Sequence, residues 1–224
     1  MRAFRSLPLG LLLGASVISA QPSAVAAPWQ SLFDGRTLAG WTHLRETGPI
    51  RGWAVVDGAV TRTGPGGDIV TTGQYADFEL ELEWKAAPGG NSGIMFRIDP
   101  AAPRTFESGP EMQVLDDDRH ADGRSRLTSA GAAYGLYPSP AGHLKPVGQW
   151  NQARLIARGP HVEHWLNGTK LLEYELWSPE WEAKVAASKF VEWKGYGRAR
   201  RGFIALQDHG DVVAYRNIRI REIK

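Results

Sequence analysis

Between Asp77 and Lys85 the chain reads Asp-Phe-Glu-Leu-Glu-Leu-Glu-Trp-Lys, a strict alternation that leaves little choice of local structure. Successive side chains of an extended strand point to opposite faces, so Phe78, Leu80, Leu82 and Trp84 share one face and Glu79, Glu81 and Glu83 the other. A helix would scatter the same apolar groups around its girth. One face of this strand must be buried while the other stays in reach of water or counter-ions, the condition of a strand in a two-layer antiparallel structure.

From Trp29 onward the same grammar recurs in shorter runs broken by Gly, Asp, Asn and Pro. Ser92 to Ile98, Glu111 to Leu115, Gln149 to Arg158, His161 to Leu166, Gly202 to Gln207 and Val212 to Glu222 read as strands. Asp57-Gly58 and Asn167-Gly168 are two-residue hairpin turns between β-formers. Only Pro179 to Phe190 departs from the pattern: Ser178-Pro179 can start a helix, and Ala183, Val185, Ala186 and Ala187 can carry it. The expected fold is all-β, a sandwich or jelly roll with one short helix near 179–190.

Ahead of this region, Arg2 and Arg5 precede an apolar stretch from Leu7 to Ile18 and the small residues Ala24-Val25-Ala26. Residues 1–26 are read as a signal peptide cut after Ala26, leaving 27–224 as a single domain in the periplasm or medium. No later segment is long and apolar enough to suggest an integral membrane span. With no cysteine in 224 residues, an exported domain of this size relies on apolar burial. Setting Arg2 and Arg5 aside lowers the 26 basic residues to 24, equal to the 24 acidic ones, so the mature chain is neutral and has no nucleic-acid signature. The dense basic run Arg198, Arg200, Arg201 reads as a solvated loop. Nine Trp supply flat apolar faces that suit both a core and the C–H faces of sugar rings.

Strand parity also picks out polar groups that would share a face. Glu111 and Gln113 lie opposite Met112 and Val114, with Asp116 just past the strand end. Asn91, Gly93, Met95 and Arg97 lie opposite Ile94 and Phe96, and Gln207 and His209 follow Ile204 and Leu206. Such a mixture of amides, carboxylates, Arg and His is chemistry for holding a polyol, and Gly93 and Ala205 leave it room. Other signals read as structural. Glu79, Glu81 and Glu83 resemble a solvated face more than a glycosidase pair; Asp116-Asp117-Asp118 lacks a spaced calcium loop; His161 and His164, three apart on a strand, point to opposite faces. Asn167-Gly168-Thr169 is a formal glycosylation sequon whose first role is the turn.

Seven segments in order carry a resemblance: Leu32 to Gly35 with Gly40-Trp41, Asn91 to Arg97, Glu111 to Asp116, Gly148 to Asn151, His164 to Gly168, Leu206 to Gly210 and Tyr215 to Ile220. Together they resemble the 3-keto-disaccharide hydrolase family over about Trp29 to Lys224. The resemblance implies a concanavalin A-like jelly roll, export, and action on 3-keto-glycosides made by a partner sugar 3-oxidoreductase. A C3 ketone acidifies the C2 proton, so a base can remove it, the enolate can expel the C1 oxygen, and water can add back. Glu111 and His209 are the candidates for proton transfer, and Arg97 or Lys145 for neutralising the enolate. Asn91, Gln113, Asp116, Tyr134 and Gln207 are the candidates for holding hydroxyls. The residues fix no cofactor and leave the metal question open: a divalent cation held by Glu111, Asp116 and His209 can serve the same chemistry as a Lewis acid. The alternative reading is a non-catalytic, lectin-like carbohydrate-binding module, which the same fold also serves; a retaining glucanase or a surface interaction domain fits the residues less well.

Overall fold

The computed structural model describes residues 27–223; the leader-like residues 1–26 lie outside the described part. Thirteen strands follow in chain order: β1 (Gln30–Ser31), β2 (Trp41–His43), β3 (Trp53–Val56), β4 (Ala59–Arg62), β5 (Ile69–Thr71), β6 (Phe78–Ala86), β7 (Asn91–Ile98), β8 (Glu111–Leu115), β9 (Asn151–Arg158), β10 (His161–Leu166), β11 (Thr169–Glu175), β12 (Phe203–Leu206) and β13 (Val213–Glu222). One α-helix, α1 (Pro179–Ala186), lies between β11 and β12. The strands form two antiparallel sheets. One runs β11-β10-β9-β6-β13-β4-β3 with β1 paired on β13, and the other runs β2-β5-β12-β7-β8. This is the all-β jelly-roll sandwich that the alternation implied. No helix among the described residues is long and apolar enough to cross a membrane.

The central strand β6 shows why. Phe78, Leu80, Leu82 and Trp84 are 0–2% exposed and face the second sheet, where they meet Ile94, Phe96, Met112, Val114, Ile204 and Leu206 in one core. Each such burial contributes about 1.5–3 kcal/mol. On the reverse face, cross-strand cations answer the glutamates: Arg221 and Arg154 pair with Glu79, Arg219 with Glu81 and Arg216 with Glu83. The three carboxylates are thus a lattice of ion pairs on the outer face of the larger sheet. His161 and His164 separate as strand geometry requires: His161 meets Glu163 and Glu175, whereas His164 is buried, and burial drives its imidazole down to about 4. Asp57-Gly58 and Asn167-Gly168 both take positive φ at both residues, as tight hairpins need.

Two local expectations change. The helix ends at Ala186, four residues short of Phe190; after Ser188 a separate single-turn 3-10 segment, Lys189–Glu192, begins with the Ser188 hydroxyl accepting from Phe190 N. The second change concerns Arg97. Phe203 pairs with Ile98 but Ala205 with Met95, so β7 carries one extra residue there, and Arg97 takes φ 50°. That bulge turns the Arg97 side chain away from the outer face. Its guanidinium donates instead to Ala76 O (2.9 Å), Gly159 O (2.8 Å) and Asp77 (3.1 Å), with only 2% of the residue exposed.

Candidate active site

All of β8 and β7 is buried, although their outer-facing side chains are largely polar. The cause is chain folded over the outer face of the smaller sheet. Residues 131–134 run along the free edge of β8, with Gly131 N donating to Gln113 O, Gln113 N to Ala132 O and Tyr134 N to Glu111 O. On the other side Phe106 packs on Met95, Ile98 and Ala205 and meets Trp193 edge-on at 5.3 Å. A cleft of about 270 Å³ is left there, lined by the aromatic Phe106, Phe190 and Trp193 and by the polar Asn91, Glu111, Gln113, Gln207 and His209.

Glu111 is the central group. It lies beside Gly93, where a β-carbon would come within 2.6 Å of the Glu111 carboxyl carbon. Gly93 therefore serves as a floor that only a hydrogen atom fits. Its flanks are Gln113, its β8 partner, and Gln207, whose N–H donates to Gly93 O at 3.0 Å. No described residue hydrogen-bonds the Glu111 carboxyl. Burial, aided by the negative charge of Asp68 and opposed by Lys189, pushes it up to about 8. Two neighbouring carboxylates differ in being fully used. Asp208 accepts from Arg62, Gly66 N and Gly67 N, which outweigh its burial and hold it below the usual range. Asp68 accepts from Thr105 and Asp208 N, but burial dominates and raises it.

The amides are set for hydroxyl groups. Gln113 donates through Nε2 to Thr128 O (3.2 Å), which fixes its orientation, and its Oε1 has no partner among the described residues; nor has Oε1 of Gln207. An unpartnered buried acceptor costs about 1–3 kcal/mol, a debt that a ligand hydroxyl can cancel. Tyr134 donates to Asp122 at 3.3 Å, and burial lifts its phenol to about 12, so it remains an O–H donor at any working pH.

Six of the nine expected residues thus meet around one cleft: Asn91, Glu111, Gln113, Tyr134, Gln207 and His209. Three do not. Arg97 is buried at the sandwich edge for the reason given above. Lys145 belongs to a separate groove of about 420 Å³, where its ammonium donates to Trp150 O (2.9 Å). Asp116 borders that same groove, and its carboxylate serves the turn by accepting from Gly89 N (2.7 Å) and Asp118 N (3.3 Å). Being one residue beyond β8, it falls off the strand's parity. Parity alone did not point to Asp68, Phe106, Lys189 or Phe190, which reach the cleft from loops; for Trp193 the one signal was the chain's load of nine Trp.

The expected cation set of Glu111, Asp116 and His209 is not assembled. A different trio, His120, His209 and Asp211, has ligating atoms within 4.8 Å of one another. His120 accepts the Asp122 N–H at Nδ1 (3.1 Å). Its Nε2 lies 3.4 Å from Asn91 Nδ2. The trio's two imidazoles and one carboxylate are ligand types that a divalent transition metal takes.

Residues 28–221 match the family model of the 3-keto-alpha-glucoside-1,2-lyase-like domain. A protein of Bacteroides thetaiotaomicron named 3-keto-disaccharide hydrolase is 32% identical over 94% of this chain and 83% of its own length. The crystal structure of a candidate glycosyl hydrolase from Parabacteroides distasonis superposes with a TM-score of 0.81 and 31% identity, covering 88% of this chain and 94% of that one. A carbohydrate-binding module from Bacillus subtilis shares the fold alone, with a TM-score of 0.52 and 14% identity over 80% of this chain and 93% of that one.

Proposed function

Since the chain belongs to the 3-keto-alpha-glucoside-1,2-lyase-like family, and its function is thereby of the 3-keto-disaccharide hydrolase or glycosidase type, we propose that its cleft cleaves 3-keto-glycosides by elimination, with Glu111 as the base. The observation that carries this reading is the Glu111 carboxyl: buried, without a hydrogen-bond donor and poised at about 8. A carboxylate raised so far is a much stronger base than an ordinary one and is closer in basicity to a carbon acid beside a ketone. A classical glycosidase needs two carboxyls flanking one bond. The cleft's other carboxylates, Asp68 and Asp208, are already spoken for by Thr105, Arg62 and backbone amides.

In this reading Glu111 takes the C2 proton, the C–H electron pair forms the C2–C3 double bond, and the carbonyl pair moves onto the C3 oxygen. The pair then returns, C1–C2 becomes double, and the glycosidic oxygen leaves C1 with a proton from His209 on the exposed rim. Water adds to the released enone to give the free 3-keto sugar. Gln113, Gln207, Asn91 and Tyr134 hold hydroxyls, while Phe190 and Trp193 supply apolar faces. Such substrates come from a sugar 3-oxidoreductase, and the proposed setting is outside the cytoplasm. Recovery of a processed form beginning at Ala27 would support that setting.

The test compares a 3-keto-glucoside with its unoxidised parent. Release of aglycone from the keto compound alone, lost in Glu111→Gln, is expected. Binding of an ordinary glycan without release from either compound would instead favour the carbohydrate-binding reading.

A further inference from the structure

Charge that builds on the C3 oxygen needs a cation, and neither Arg97 nor Lys145 reaches the cleft. Among the described residues that line it, the one Lys or Arg is Lys189. We propose that Lys189 is a catalytic residue whose ammonium binds the C3 oxygen of the substrate as the C2 proton leaves, an assignment that rests on the reading of the cleft given above.

The geometry supports this role in three ways. First, Lys189 opens the turn Lys189–Glu192, whose next residue, Phe190, is part of the cleft wall. Phe190 ends a column of stacked rings that starts in the sandwich: Tyr137 on Tyr174 (4.8 Å), Tyr174 on Trp181 (5.5 Å), Trp181 on Tyr196 (6.1 Å) and Tyr196 on Phe190 (4.0 Å), each pair within 14° of parallel. A long loop segment is thereby tied rigidly to β11, and its first side chain is delivered to the cleft at a defined place. Second, the Lys189 ammonium stands 4.5 Å over the ring of Tyr134, and Tyr134 N donates to Glu111 O at 3.1 Å. Base and cation are thus positioned from the two ends of one short connection. Third, no carboxylate among the described residues forms an ion pair with Lys189, so its charge is free for a ligand, and its positive field already acts on Glu111. A preorganised cation of this kind stabilises charge that appears only in the transition state.

Lys189→Met and Lys189→Arg variants, compared with the unaltered protein, provide the test. Removing one such charge-stabilising group lowers kcat by about 100- to 1,000-fold. We expect a loss of that size in Lys189→Met, with a much smaller change in KM and in melting temperature, and partial recovery in Lys189→Arg. A second readout is the inflection of the pH–rate profile, expected near 8 from Glu111. It should move upward in Lys189→Met, because the charge that favours the ionised carboxylate is gone. If the unaltered protein releases aglycone from the keto substrate but Lys189→Met keeps kcat within a few-fold and leaves the inflection in place, the proposal is wrong and the reading of the cleft stands. If the unaltered protein gives no release, the reading fails and takes the proposal with it.

Discussion

Replacing Gly93 by alanine adds one methyl group at the point where the Glu111 carboxyl rests. A β-carbon there would lie 2.1 Å from Glu111 Oε1 and 2.6 Å from the carboxyl carbon, whereas ordinary contact begins at 3.4 Å, so the carboxyl must retreat by about 1.3 Å, the shortfall at Oε1. The strand backbone on either side is paired, Gly93 with Gln113 on β8 and through its carbonyl with Gln207 N, so the side chain yields before the strands do. Displacing a catalytic group by about 1 Å costs on the order of 100-fold in rate, or about 2.7 kcal/mol in the barrier. Glycine loses freedom on becoming alanine only in the unfolded chain, which by itself slightly favours folding. The expected result is therefore a protein that melts close to the unaltered one and has about 100-fold lower kcat on a 3-keto-glucoside. The pH–rate inflection should shift as the carboxyl moves relative to its burial and to Lys189. Full activity in Gly93→Ala, with melting unchanged, would refute the assignment of Glu111 as the base at this spot.

Three other predictions follow from the same geometry. Glu111 ionises near 4.5 when unfolded and near 8 when folded, so the folded state holds one more proton between those values and stability should fall by about 1.4 kcal/mol per pH unit from about 4.5 to about 8. Urea titrations across that range should show this slope in the unaltered protein and a flatter line in Glu111→Gln, which should be the more stable of the two at pH 9. Arg97→Ala strands two buried carbonyls and the Asp77 contact, and equilibrium unfolding should show a loss of about 3 kcal/mol, with kcat of the folded fraction nearly unchanged. Lys145→Ala, in the other groove, should alter stability by no more than about 0.5 kcal/mol and leave kcat/KM within about twofold.

Much of the site was legible because its core is periodic. Strand parity assigns Glu111, Gln113, Asn91, Gly93 and Gln207 to one face; Glu111, Gln113, Asn91 and Gln207 line one cleft, and Gly93 lies against the Glu111 side chain. The parity failed where the period failed. At Arg97 an extra residue and a positive φ reset the alternation, and the reason lies in pairing with β12, more than a hundred residues downstream. At Asp116 the strand had already ended. Lys189 and Phe106 sit in short turns with no repeating pattern, and their arrival in the cleft depends on a ring column and an edge-on aromatic contact formed between distant segments.

The sequence by itself thus determined which side chains could share a face, the hairpin turns at Asp57-Gly58 and Asn167-Gly168, and the need to bury one side of β6. These follow from the local geometry of an extended chain and require no knowledge of a partner. Only the tertiary structure decided that the polar face of β7 and β8 would be roofed over, that Glu111 would thereby lose its water and hold its proton to about pH 8, and that the cation beside it would be Lys189. Desolvation and proximity arise from segments far apart in the chain, and no local period encodes them.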